Sequence, residues 1–219
     1  MRNIILSAYF TQFPDPQRGY KWEPKISDLE ILLSSTTEFE TIIFTDELIS
    51  TLPSIIKIPR RTTFNPYLEK WKTCLSFLKN NQDIDFVWIT DSTDTELLKN
   101  PFPYMEKGIL YIGYLGVSVN IGWMQRRHPS MREWLYNNRD KPRLMAGTVG
   151  GSRDIMIRLI VRILRAYEIF QSDKAPLVLD MGPFNYAVHE YNLPYITGPQ
   201  ICNEFKTYDR KGPGWWRHK

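Results

Sequence analysis

An acidic turn follows a short apolar run near the middle of the chain. The run covers residues 86–89, and Asp91 and Asp94 follow it within the segment Asp91-Ser92-Thr93-Asp94. Two carboxylates on one turn suit a hard cation with oxygen ligands, such as Mg²⁺ or Mn²⁺, and such a cation also binds phosphate oxygens. The alternative is structural: Ser92 or Asp94 caps a following helix, and Asp91 forms an Asx turn.

A glycine-rich segment is the second candidate. Gly147, Gly150 and Gly151 precede the most helical stretch of the sequence, about residues 153–170. Glycines before a helix allow close backbone approach to a ligand, and a helix N-terminus favours an anion or an oxygen-rich ligand. We therefore expect a turn in which Gly150 and Gly151 contact a ligand. A plain strand-to-helix connection is the alternative.

Two further segments contain candidate side chains. Asp180 ends the apolar run 177–179, where its alternative role is that of a helix N-cap. His218 lies in the terminal segment Trp215-Trp216-Arg217-His218-Lys219, where a surface histidine is the ordinary interpretation. His128 and His189 have no comparable neighbours, and we predict structural roles for both.

The elements that must position these residues alternate along the chain. The pattern predicts strands at about residues 4–9, 41–45, 55–58, 86–89, 109–112 and 177–179. It predicts helices at about 24–35, 65–78, 153–170 and 184–191, a short helix after the acidic turn, and another after Pro129. This order indicates an α/β fold with a mixed, mainly parallel sheet flanked by helices, in one domain covering residues 1–219. The carboxyl ends of parallel strands form the crevice in which ligands bind.

Composition narrows the functional classes. The 219 residues are 42% hydrophobic and 24% charged, which is typical of a globular domain. The net charge of +4 is not gathered into a long basic run, so a compact phosphate site is favoured over a nucleic-acid surface. Cys74 and Cys202 are far apart and are expected to be reduced. No apolar run reaches membrane-spanning length, and the opening run is too short for a signal peptide, so we expect a soluble, intracellular, cytoplasmic protein.

The ordered motifs resemble those of nucleotide-sugar-dependent glycosyltransferases of the GT-A fold. In that family an Asp-X-Asp turn ends a hydrophobic strand and is followed by an apolar pair and an Asn-Pro-like stop, here Leu97-Leu98 and Asn100-Pro101. In this chain two residues rather than one separate the carboxylates. Alignment backwards from the stop places Asp94 at the metal-ligand position, with Asp91 near the ribose or sharing the metal. Small enzymes of this type occur in bacteria and in large DNA viruses.

The resemblance implies roles for the distant motifs. Gly150 and Gly151 would contact the donor sugar, with a spacing most similar to retaining enzymes related to blood-group transferases. Asp180 would contact sugar hydroxyls or act as general base, with Asp154 as the second candidate. Met181 stands where those retaining enzymes carry a glutamate proposed as nucleophile, so a nucleophilic mechanism is not predicted.

Near the C-terminus, the resemblance makes His218 the third metal ligand and Lys219 a diphosphate ligand. An imidazole is an acceptable ligand for Mn²⁺, and an adjacent cation would offset diphosphate charge. The nucleotide is expected at the exit of the first strand and beside the acidic turn. The residues that the resemblance places around it are Tyr9, Phe10, Thr11, Gln17, Arg18, Asp46, Arg60 and Arg61.

The sequence thus predicts a Mn²⁺- or Mg²⁺-dependent transferase of the hexosyl or deoxyhexosyl class. Its expected partners are a nucleoside-diphosphate sugar, with a UDP-sugar favoured, and a carbohydrate or glycoprotein acceptor bound near residues 113–129. No nucleic-acid partner is expected. A nucleotidyltransferase of related fold is one alternative, although residues 14–19 are not its glycine-rich basic loop. A non-enzymatic module that binds a polyanion is the other.

Overall fold

Nine strands form two sheets in the computed structural model, which describes residues 2–59, 61–171, 179–203 and 212–218. In chain order the strands are β1 (Arg2–Tyr9), β2 (Glu40–Thr45), β3 (Ile55–Lys57), β4 (Ile84–Asp91), β5 (Thr95–Leu97), β6 (Leu110–Ser118), β7 (Pro142–Ser152), β8 (Tyr195–Thr197) and β9 (Trp216–His218). Seven of them form the main sheet in the order β3-β2-β1-β4-β7-β6-β8, and β5 pairs with β9 in the second sheet.

The main sheet is mixed and mainly parallel, as predicted. Strands β3, β2, β1 and β4 pair in parallel, and so do β6 and β8. Strand β7 is antiparallel to both of its neighbours, β4 and β6. Its pairing with β4 stops at Thr148, opposite Thr90, so residues 142–147 extend past the end of β4. The amino-terminal part of β7 therefore lies at the same edge of the sheet as the carboxyl ends of β1 and β4.

Six α-helices accompany the sheets within the described part of the chain. They are α1 (Glu30–Ser35), α2 (Pro66–Asn80), α3 (Gly122–Arg127), α4 (Arg132–Asn137), α5 (Arg153–Phe170) and α6 (Met181–Glu190). Helices α2, α5 and α6 contact one another and the central strands. Asn65 caps α2, because its side-chain oxygen accepts hydrogen bonds from the backbone N–H groups of Tyr67 and Leu68, and Pro66 occupies the first helical turn.

Alternation along β1 explains the layered core. Ile4 and Leu6 belong to an apolar cluster that includes buried residues of α2, α5 and α6. Ile5 belongs to a second cluster, which includes α1 and Trp216 of β9. Because successive side chains of a strand point to opposite faces, one buried strand serves both layers. The sheet is thus covered on both sides, as an α/β fold requires.

Two local predictions are wrong. The glycine-rich segment is not a turn but belongs to strand β7. A Cβ atom at Gly150 would overlap the ring of Trp88 on the neighbouring strand, so the missing side chain serves strand packing there. The residues after the acidic turn form β5 rather than a helix, which removes the helix-cap interpretation of Asp94.

The strand predicted at 177–179 lies mostly outside the described residues, which include only Leu179 of it, and Leu179 is in no strand. The small strands β5 and β9 and helix α3 had no signal in the sequence pattern. Among the helices that the structure describes, none has the length and apolar character needed to cross a membrane.

Candidate metal centre and its cleft

Three potential metal ligands converge where the two sheets meet. Asp91 is the last residue of β4, and Asp94 lies in the turn between β4 and β5. His218 ends β9, which pairs with β5 so that Thr95 stands opposite His218. One ligand atom from each of Asp91, Asp94 and His218 lies within 4.8 Å of the others. The pairing of β5 with β9 therefore brings His218 next to the two carboxylates of the acidic turn.

The geometry of the three donors fits a divalent cation. His218 Nε2 lies 3.5 Å from Asp91 Oδ2 and 3.4 Å from Asp94 Oδ1. Asp94 Oδ1 is buried and accepts no well-formed hydrogen bond among the described residues. Two ligand atoms about 2.1 Å from one ion and at right angles to each other lie about 3 Å apart, so a small movement of these groups would accommodate Mg²⁺ or Mn²⁺. The imidazole favours Mn²⁺ over Mg²⁺.

Neighbouring charges shift the pKa values of His218 and Asp91. Burial acts to lower the pKa of His218, but the adjacent carboxylates of Asp94 and Asp91 outweigh it and hold that pKa above its ordinary value. Burial acts to raise the pKa of Asp91, but Lys70 and then His218 hold it below its ordinary value. These contacts favour the protonated imidazole, and a bound cation would compete with that proton because a metal ligand must be deprotonated.

Close approach of the backbone explains the first glycine of the glycine-rich segment. A Cβ atom at Gly147 would overlap Asp91 Oδ2 and lie 2.5 Å from His218 Cε1. Met145, two residues earlier on β7, places its sulfur 2.8 Å from His218 Nδ1, so the other ring nitrogen faces the carboxylates. The sequence had indicated this segment but the wrong glycines within it.

A buried lysine links the candidate metal centre to Asp180. Lys70 Nζ on α2 lies 3.0 Å from Asp91 Oδ1 and 3.1 Å from Asp180 Oδ2, and the Lys70 side chain is only 6% exposed. Burial opposes its charge, yet the two carboxylates raise the pKa of Lys70 above its ordinary value. This residue was not predicted from the sequence. Its spacing could have indicated it, because Lys70 lies four residues before buried Cys74 and therefore on the inward side of the helix.

Asp180 lies in the cleft, and the helix-cap interpretation of it is wrong. It occupies the N-cap position of α6, but its side chain makes no capping hydrogen bond. Its Oδ2 instead accepts a hydrogen bond from Trp71 Nε1 at 3.1 Å and pairs with Lys70. Asn185 of α6 is fully buried and bonds to the backbone of Leu144 and Met181, so it anchors α6 to β7.

A cavity of about 510 Å³ adjoins the three ligands. The loop after β1, helix α2, strands β7 and β6 and helix α3 all contribute to its lining. The lining comprises Ala8, Tyr9, Phe10, Asp15, Gln17, Arg18, Trp22, Pro66, Tyr67, Lys70, Asp91, Ser92, Thr93, Asp94, Leu115, Trp123, Arg143, Met145, Ala146, Gly147, Leu179, Asp180, Met181 and His218.

Among the residues expected to surround a nucleotide, four line this cavity: Tyr9, Phe10, Gln17 and Arg18. The Tyr9 hydroxyl donates a hydrogen bond to Asp28 at 2.6 Å, so only the ring side of Tyr9 remains for a ligand. The Gln17 side-chain oxygen accepts a hydrogen bond from the Tyr67 hydroxyl. The Arg18 guanidinium lies 4.8 Å from the centre of the Trp22 ring.

Thr11, Asp46 and Arg61 are not part of the cavity lining, contrary to prediction. Asp46 accepts hydrogen bonds from the backbone N–H groups of Thr11 and Gln12, at 2.8 and 3.1 Å, and pairs with Arg61 at 3.3 Å. Arg61 also donates to the Phe64 carbonyl. This buried cluster joins the loops after β1, β2 and β3, so Asp46 has a structural role here rather than one in nucleotide recognition.

Gly150, Gly151 and Asp154 also lie away from the cavity, contrary to prediction. Gly151 packs against Ile155, and Gly150 packs against Trp88 as described above. The Asp154 side chain is 88% exposed and pairs with Arg153, so it is not positioned as a general base. Arg60 and Lys219, predicted phosphate ligands, lie outside the described residues.

The other two histidines are buried, in agreement with their predicted structural roles. His128 Nε2 accepts a hydrogen bond from the backbone N–H of Gly182 at 3.2 Å. Burial lowers the pKa of His128 to about 4. His189 Nε2 lies 2.9 Å from the Pro142 carbonyl.

Comparison with known proteins does not supply a function. No protein-family model matches the sequence, and no curated protein matches it either. Function is therefore argued from the candidate metal centre and its cleft.

Proposed function

We propose that this protein is a metal-dependent glycosyltransferase that moves a sugar from a nucleoside-diphosphate sugar to a hydroxyl of a glycan or glycoprotein. The observation that carries the proposal is the convergence of Asp91, Asp94 and His218 at the end of β4, next to the cavity. A cavity of this size is in the range of small-molecule sites, about 300–1,000 Å³. The mixed α/β sheet is compatible with the GT-A resemblance of the motifs.

The charges around the cavity suit a diphosphate. Asp91, Asp94 and His218 would hold Mn²⁺ or Mg²⁺, and that cation would stabilise the charge that develops on the leaving nucleoside diphosphate. Arg18, on the loop after β1, lines the cavity and would be a cation for the phosphates of the nucleotide. The apolar and aromatic residues of β1 and its loop would then provide a surface for the nucleotide base. The resemblance favours a UDP-sugar as the donor.

Asp180 is our candidate for the residue that acts on a sugar hydroxyl. Lys70 and Trp71 both contact Oδ2 of Asp180, and neither contact uses Oδ1. Both contacts fix the orientation of the carboxylate, and Oδ1 would be the oxygen that meets the hydroxyl. In an inverting transfer, the bond from the anomeric carbon to the diphosphate oxygen breaks, a bond to the acceptor oxygen forms, and the acceptor proton passes to Asp180.

A product assay tests this proposal. The protein is incubated with UDP-, GDP-, CDP- and dTDP-sugars in MnCl₂, and nucleotides are separated by chromatography. Glycosyl transfer, to an acceptor or slowly to water, releases a nucleoside diphosphate. We expect release from one nucleotide class, dependent on Mn²⁺, abolished in Asp94→Asn and retained in Asp140→Asn, which changes an exposed carboxylate.

Other products would assign other functions. Formation of a nucleoside triphosphate and sugar 1-phosphate from the nucleotide sugar and pyrophosphate would indicate a nucleotidyltransferase. Absence of both metal-dependent nucleotide binding and turnover, together with salt-sensitive binding to heparin, would indicate a polyanion-binding module. Either result would contradict the proposal.

A further inference from the structure

Strands β7 and β6 and helix α3 contribute a second group of residues to the cavity lining. Arg143, Met145 and Gly147 alternate along β7 and so share one face of the strand. Gly147 and Met145 contact the candidate metal centre, whereas Arg143 is the third residue on that face. Leu115 of β6 and Trp123 of α3 join Arg143 in the cavity lining.

Arg143 makes no ion pair with any described residue. Its Nε is buried without a hydrogen-bond partner, and its guanidinium lies 5.8 Å from the centre of the Trp123 ring. Burial lowers the pKa of Arg143, with no carboxylate offsetting the effect. A half-buried guanidinium without an anion favours an anionic ligand, because a planar carboxylate or a phosphate accepts two parallel hydrogen bonds from it.

Arg143 lies further along β7 than the residues at the candidate metal centre. Three residues of strand lie between Gly147, whose backbone approaches Asp91, and Arg143, so the Cα atoms of Gly147 and Arg143 would be about 13 Å apart in a regular strand. Strand β4, which ends at Asp91, stands between β1 and β7 in the sheet. The long Arg143 side chain covers part of such a distance, so a sugar next to a diphosphate at Asp91 and Asp94 would lie within its reach.

We propose that Arg143 and Trp123 form a subsite for a sugar that carries a carboxylate or a phosphate group. The indole of Trp123 presents an apolar surface to the C–H face of the ring, and Arg143 binds the anionic group. The subsite rests on the proposed function, because its sugar is a substrate of the same cavity. Its chemistry serves two sources, an anionic acceptor or an anionic donor sugar.

A comparison of D-glucuronate with D-glucose tests the subsite, since the two differ only in the group on C5. Dissociation constants are measured by ligand-observed NMR with UDP and MgCl₂ present. We expect the wild type to bind glucuronate at least about tenfold more tightly than glucose, as charge-assisted hydrogen bonds imply. Arg143→Gln should remove that preference, and Arg143→Lys should retain part of it because the charge stays but the fork is lost.

A matched control is Arg126→Gln on α3, since Arg126 is exposed and does not line the cavity. It should leave the preference for glucuronate unchanged. Equal binding of glucuronate and glucose to the wild type, or an unchanged preference in Arg143→Gln, would overturn the subsite.

Two further readouts separate the possible outcomes. With an intact UDP-sugar in place of UDP, continued binding of glucuronate assigns the subsite to the acceptor, and its displacement assigns it to the donor sugar. Metal-dependent UDP binding is followed in every variant. Its absence in the wild type would contradict the proposed function, whereas normal UDP binding with no glucuronate preference would contradict the subsite alone.

Discussion

Replacement of Lys70 by methionine should lower the free energy of unfolding and should also increase the stabilisation that Mn²⁺ provides. The Lys70 contacts of 3.0 Å to Asp91 and 3.1 Å to Asp180 place the two carboxylate oxygens no more than about 6 Å apart. At an effective dielectric constant of about 20, two unit charges at that distance repel by about 3 kcal/mol. Breaking a buried pair costs about 3–5 kcal/mol. The Asp91 side chain is 37% exposed, so solvent screens part of this, and we expect a loss of about 2–4 kcal/mol in the free energy of unfolding.

Mn²⁺ should reverse part of that loss. A cation held by Asp91 would lie near the position of the missing Lys70 ammonium group. It would therefore offset the repulsion between the Asp91 and Asp180 carboxylates, and it would no longer be repelled by the positive charge of Lys70. The gain in unfolding free energy on adding MnCl₂ should therefore be larger for Lys70→Met than for the wild type, by linkage.

Urea unfolding followed by tryptophan fluorescence, with and without MnCl₂, measures both quantities. Lys72→Met is the matched control, because Lys72 lies on the same helix but does not line the cavity. The reasoning would be refuted if Lys70→Met were no less stable than Lys72→Met in metal-free buffer. A gain from Mn²⁺ equal to or below that of the wild type would refute the electrostatic link to the metal centre.

Three further predictions follow from single contacts. Gly147→Ala should weaken Mn²⁺ binding at least about tenfold, because the added methyl group overlaps the metal ligands. Gly150→Ala should instead lower the unfolding free energy by about 1–3 kcal/mol, because its methyl group overpacks against Trp88. Mn²⁺ titration and urea unfolding of both variants check this, and the reverse pattern would contradict it. The pKa of His128 is about 4 in the folded protein and ordinarily 6.5, so the unfolded chain binds this proton more readily. The free energy of unfolding should therefore fall by about 3 kcal/mol on this account as the pH falls from 6.5 to 4. Urea unfolding across this range should show a smaller fall in His128→Gln, and an equal fall in both proteins would exclude the effect. Asp154→Asn should leave nucleotide-sugar turnover within about twofold of the wild type, since a surface carboxylate of this kind contributes little, and a large loss of turnover would restore its role as a base.

Local patterns carried much of the fold. The apolar runs that became β1, β2 and β4, and the Asn65-Pro66 start of α2, are determined by short-range periodicity and capping. The glycine-rich segment failed because a tertiary contact decided it. The Trp88 ring on the neighbouring strand β4 leaves no room for a side chain at Gly150. The local sequence of β7 does not show which strand will pair with it.

The candidate site was predictable where strands end and unpredictable where helices and loops supply charge. Asp91 ends a strand that the apolar run predicted, and Asp94 follows it in the turn. Asp180 was expected after a strand but precedes α6, and His218 came from the resemblance. Lys70 was missed because a lysine in a helix is ordinarily exposed, and only the approach of two carboxylates from β4 and α6 stabilises its buried charge.

Asp46 shows the opposite error. Its place after β2 indicated a ligand contact, but the backbone N–H groups of the loop after β1 and the side chain of Arg61 occupy its oxygens. Sequence shows that a carboxylate stands at a strand end, but not whether the surrounding loops already satisfy it.

The most direct measurement of the central claim is Mn²⁺ binding by electron paramagnetic resonance, with and without UDP, in the wild type, Asp94→Asn, His218→Ala and the exposed control Asp140→Asn. We predict one bound Mn²⁺ whose affinity rises when UDP is present, unchanged in Asp140→Asn and weakened at least about tenfold in each of the other two variants. Absence of bound Mn²⁺ in the wild type with UDP, or equal affinity in all four proteins, would contradict the assignment of Asp91, Asp94 and His218 as a metal centre that binds a nucleotide.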